Sequence, residues 1–91
     1  MTFDEYYAET YEQLTKQIYT TDDDIHRIDM QNLRDFLGRV KVGKDELYEE
    51  ARKRVLLNLG EYHGKDANIH ALEETSDWMT GLAMKKAWGN Q

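Results

Sequence analysis

Not one proline interrupts the 91 residues of this chain, and glycine occurs only six times. Proline ends or kinks a helix because it has no N–H to donate and its ring clashes with the preceding turn. A chain without it favours long helices joined by short turns. The apolar periodicity agrees and predicts four helices. In the first, over residues 3–19, Thr2 and Glu5 have the spacing of a capping box, and Phe3, Tyr7, Tyr11, Leu14 and Ile18 recur at steps of three and four on one stripe. Glu5, Glu9, Glu12 and Lys16 fall opposite.

Thr20-Thr21-Asp22-Asp23-Asp24 marks a stop and restart, with a threonine as cap and three aspartates suiting the positive end of a helix dipole. The second helix runs to about Val40, with Ile25, Ile28, Leu33, Phe36, Leu37 and Val40 as its inner arc and Met30 at the edge. Asp29 falls inside that arc, a local conflict. Val42-Gly43 reads as a stop with the glycine left-handed. The third helix starts near Asp45 and ends at Gly60 or Gly64, burying Leu47, Ala51, Val55, Leu59 and Tyr62. Asp66 is expected to cap the fourth, whose inner face carries Ala71, Leu72, Thr75, Trp78, Met79 and Leu82. The expected fold is all-α: a compact bundle of three to four antiparallel helices in one domain, residues 1–91.

Composition narrows the function classes. With no cysteine, disulfides and thiolate metal sites are out of reach. The acidic start lacks the basic and then apolar pattern of a signal peptide. Val55-Leu56-Leu57 is as long as any unbroken apolar run, against about 20 residues for a membrane span. A soluble, cytoplasmic protein is the expectation. The net charge of −6 is unevenly placed: residues 1–24 hold seven acids and one base, whereas residues 25–91 hold eleven of each. Long-range attraction of a partner should therefore act at the first helix and the turn after it.

Candidate chemistry is sparse. His63, Asp66, His70 and Glu74, with Glu73 beside them, offer helical metal-ligand spacings, but His63 lies across Gly64 and such spacings arise by chance among eighteen acids. Asp22-Asp23-Asp24 lacks the glycine and the alternating ligands of a calcium loop. Ser76 is the only serine, and no glycine-rich phosphate loop occurs. No catalytic residue, metal or cofactor is assigned.

Three binding readings remain. Arg27, Arg34 and Lys41 recur every seventh residue and, with Arg52, Lys53 and Arg54, form a candidate nucleic-acid face, weak on an acidic protein. The acids of the first helix, in turn, offer imitation of DNA toward a basic cleft. The leading reading is a non-catalytic protein-interaction module, regulatory or inhibitory, that binds another protein or itself. Glu5, Glu9, Glu12, Asp22, Asp23 and Asp24 would steer a basic partner, and Tyr6, Tyr19, Leu57 and Trp88, which fall off the inner stripes, would anchor it. As a type, such a chain is similar to accessory proteins of bacteria and their viruses, with no residue-level match to a family.

Overall fold

The computed structural model describes residues 1–89. Four helices follow one another: α1 (Phe3–Thr20), α2 (Asp24–Val42), α3 (Glu46–Leu59) and α4 (Ala67–Gly89). No strand occurs among the described residues, and no helix there is long and apolar enough to cross a membrane.

Local chemistry explains most of the boundaries. The capping box forms as expected: Thr2 Oγ1 accepts from Glu5 N at 3.2 Å, while Glu5 Oε1 accepts from Thr2 N at 3.3 Å. The cap of α2 is Asp23 rather than a threonine, its carboxylate accepting from Ile25 N and His26 N. Asp45 caps α3 by accepting from Tyr48 N. α3 stops at Leu59, with Gly60 as its C-cap. At the start of α4 the Asp66 backbone carbonyl accepts from His70 N, and no bond to the Asp66 side chain caps the helix among the described residues.

Gly43 corrects the sequence reading. Its φ of −63° and ψ of 137° are ordinary extended backbone, not left-handed. A glycine is needed there for space, because a Cβ would collide with the Tyr48 ring. The left-handed glycine is Gly64, at φ 98°, in the turn between α3 and α4.

The core is set by Tyr6, Leu14, Leu37, Val40, Val55 and Leu72, which are almost wholly buried. On α1 the buried row is Tyr6, Thr10, Leu14 and Ile18. The helix is thus rolled by about 40°, a little under half of one residue's step, from the all-apolar stripe. Tyr6 enters the core because its hydroxyl has a partner there, the Asn68 carbonyl of α4 at 2.6 Å. Tyr11 moves to the rim.

α2 is rolled likewise. Met30 is buried, Ile25 and Ile28 face outward, and the Asp29 conflict disappears because Asp29 leaves the core. Leu47 and Leu82, expected inside, are more than a third exposed.

Helix contacts run in opposite order along neighbours. Asp4 meets Lys41, Thr15 meets Arg34, and Ile18 meets Arg27 between α1 and α2. Asn58 meets Thr75 and Arg54 meets Trp78 between α3 and α4, while Tyr62, expected on the inner stripe of α3, lies in the turn after it and meets His70. α4 is buried only over its first half, Ala67–Thr75, and every residue from Thr80 to Gly89 is exposed. The radius of gyration, 13.7 Å, slightly exceeds the about 12 Å of a compact domain of this length, in keeping with that uncovered end.

Candidate interaction surface

The outward line of α1 carries Glu5, Glu9, Glu12, Lys16 and Tyr19, all exposed. The six acids of the expected steering face divide into two groups. Glu5 is held by the capping box, and its hydrogen bonds with Thr2 draw its carboxyl below the ordinary range. Asp23 caps α2, and Asp24 pairs with Arg27 at 2.6 Å. These three belong to the folding of α1 and α2. Glu9, Glu12 and Asp22 are exposed and hold no ion pair or hydrogen bond of their side chains among the described residues.

Of the four expected anchors, Tyr6 is a correction. It is fully buried and hydrogen-bonded, so it presents nothing to a partner. The stripe drawn through apolar residues alone missed it because Thr10, also fully buried, extends the inner face to that side. Tyr19 (79% exposed), Leu57 (74%) and Trp88 (69%) do face solvent, on three different helices.

Two residues assigned by sequence to the core belong with the exposed set: Ile25 at 74% and Ile28 at 55%. With Tyr19 they flank the turn that holds Asp22. The signal was in the sequence, since Asp29 inside the supposed arc argued that the arc was misplaced. Tyr19, Asp22 and Ile25 are thus exposed at the α1–α2 turn, with Ile28 one turn further along α2 and Glu12 two turns back along α1.

The basic residues are mostly engaged within the fold. Arg27 donates to the Ile18 and Thr21 carbonyls at 3.3 and 2.7 Å, closing the end of α1. Arg34 donates to Thr15 Oγ1 at 3.2 Å and lies over the Tyr11 ring at 5.6 Å. Lys41 pairs with Asp4 and lies over Tyr7. The seven-residue line is thus the seam between α1 and α2. Arg52 donates to the Val40 and Gly43 carbonyls at 2.6 and 2.9 Å, closing the end of α2, where a cation also meets the negative pole of the dipole. Arg54 pairs with Glu50 at 3.7 Å and lies 4.3 Å from the Trp78 ring centre. Of the six, Lys53 alone forms no hydrogen bond, ion pair or cation–π contact among the described residues.

The residues weighed for a metal do not form one cluster. His70 Nδ1 lies 3.5 Å from Glu73 Oε1, and its ring is 5.5 Å from that of Tyr62. The carboxylate of Glu74 beside Tyr62 raises the phenol above its ordinary value. His63 and Asp66 are exposed in the preceding turn. No group of three His, Asp or Glu placed to hold a metal occurs among the described residues.

Compared with protein-family models, curated proteins and solved structures, the chain matches none.

Proposed function

We propose that this chain is a non-catalytic interaction module whose acidic first helix and following turn engage a basic protein surface, regulating or inhibiting by occupying it. One asymmetry carries the reading. Five of the six basic residues Arg27, Arg34, Lys41, Arg52, Lys53 and Arg54 are engaged in helix ends, seams or ring contacts, whereas Glu9, Glu12 and Asp22 hold no partner among the described residues, and Tyr19, Ile25 and Ile28 are exposed on the same two helices. Free charge steers encounter, and adjacent apolar groups supply the area that slows dissociation. The nucleic-acid alternative is weakened by the same asymmetry, because phosphates need cations that are free to meet them.

The scaffold of this reading is an antiparallel four-helix bundle, supported by the opposed contact order within α1–α2 and within α3–α4.

The test is charge reversal at the free acids only, Glu9→Lys, Glu12→Lys and Asp22→Lys together. Glu5, Asp23 and Asp24 are left intact because their loss would unsettle the helix ends. The expected outcome is unchanged helicity by circular dichroism with loss of the partner recovered by the tagged native chain. Equal recovery by both chains would remove the reading.

A further inference from the structure

We propose that the exposed end of α4, Thr80–Gly89, docks on the acidic α1–α2 turn of a second copy of this chain. The inference rests on the interaction-surface reading above and names its first partner.

Ten consecutive exposed residues prolong α4 past its last half-buried contacts at Trp78 and Met79, a reach of about 15 Å. Isolated helices of this length are marginal in water, so this end depends on the helix behind it or on a cover. It carries Leu82, Met84 and Trp88, of which Met84 and Trp88 are one turn apart on one side. Its only charges are Lys85 and Lys86, and no acid follows Asp77. It is thus a basic and apolar element on a protein of net charge −6.

Its complement lies on the same chain. The α1–α2 turn presents Asp22, which holds no partner among the described residues, between exposed Tyr19 and Ile25, with exposed Ile28 one turn along α2 and unpaired Glu12 two turns back along α1. Both patches are uncovered in the single chain, so the complementary charges and apolar groups are left for a neighbour.

The chemistry repeats one the fold already uses. Within the chain, Lys41 joins α2 to α1 by pairing with Asp4 while lying 5.3 Å from the Tyr7 ring centre. Lys85 or Lys86 placed on Tyr19 and Asp22 of the next copy would make the same cation, ring and carboxylate arrangement, with Trp88 against the isoleucines. An anionic lipid surface is the poorer occupant, because two lysines oppose the repulsion of the whole acidic chain.

The experiment is sedimentation velocity of the full chain over a range of concentrations. The native protein is expected to show a mass above the monomer that rises with concentration and falls with added salt. Lys85→Glu with Lys86→Glu, and separately Glu12→Lys with Asp22→Lys, should each weaken association by at least about tenfold at unchanged helicity. Mixing the two reversed chains in equal amounts should restore it, since each then offers the other an attractive pair. A native chain that stays monomeric at high micromolar concentration overturns the inference, and so does association indifferent to both reversals. In that event the module reading still stands if the Glu9, Glu12 and Asp22 reversal loses a different protein partner. It falls as well if that reversal changes nothing.

Discussion

The Tyr6 hydroxyl donates to the Asn68 carbonyl across 2.6 Å, joining the first turns of α1 and α4, which lie 62 residues apart in the chain. Tyr6 is wholly buried, so the bond has no water to replace it. Tyr6→Phe keeps the ring and leaves the Asn68 carbonyl without this donor. The expected cost is about 1–3 kcal/mol, or a melting temperature lower by roughly 4–8 °C per kcal/mol for a domain of this size. Thermal melts followed by circular dichroism decide it, and an unchanged midpoint would mean that the carbonyl finds another donor.

The same residue sets a pH limit. Burial holds the Tyr6 phenol neutral and pushes it well above its ordinary value. A raised folded-state pKa means that the stability from this group is intact below the unfolded value of about 10 and is lost as pH rises beyond it. Urea midpoints measured from neutral pH upward should fall above that value in the native chain. In Tyr6→Phe the fall should be smaller, because the group that titrates is gone.

Arg52 closes α2 by donating to two carbonyls at its end, Val40 and Gly43. Arg52→Ala strips both acceptors of their charged donor, with an expected loss of about 1.5–3 kcal/mol. Arg52→Lys should recover only part of it, since an ammonium lacks the guanidinium fork. Chemical denaturation of the three chains is the check. Equal stability of all three would show that these carbonyls are satisfied by solvent.

Gly43→Ala places a methyl group against the Tyr48 ring, which packs on the core. The backbone there suits any residue, so the cost should come from displacing the ring, about 1–3 kcal/mol. The double variant with Tyr48→Ala should show a smaller penalty for the alanine at 43, because the ring is gone while the Cβ of residue 48 still lies 2.7 Å from the new methyl group. A penalty undiminished without the ring would show that the ring is not what the methyl group displaces.

Sequence periodicity carried the number and order of the helices, the Thr2–Glu5 box and the outward positions of Leu57 and Trp88. It misjudged roll. A stripe drawn through apolar side chains alone passes over Thr10, which is small enough to bury, and over Tyr6, whose hydroxyl donates to a residue 62 positions away. It also admits Tyr7 and Tyr11, whose rings sit at the α1–α2 seam beneath Lys41 and Arg34. Ile25 and Ile28 followed the same error on α2, where buried Met30 replaced them. The basic line was legible as spacing, but its use was not, because bonds to backbone carbonyls leave no mark in composition.

The most direct test of the claim that this chain acts through its free acidic surface is quantitative capture from nuclease-treated lysate of its source. Native protein is compared with the Glu9→Lys, Glu12→Lys, Asp22→Lys variant, both tagged alike and matched for helicity. The account predicts a stoichiometric protein on the native chain, either a basic partner or an untagged copy of this chain, that is missing from the variant. The same proteins on both chains, at the same stoichiometry, would contradict it.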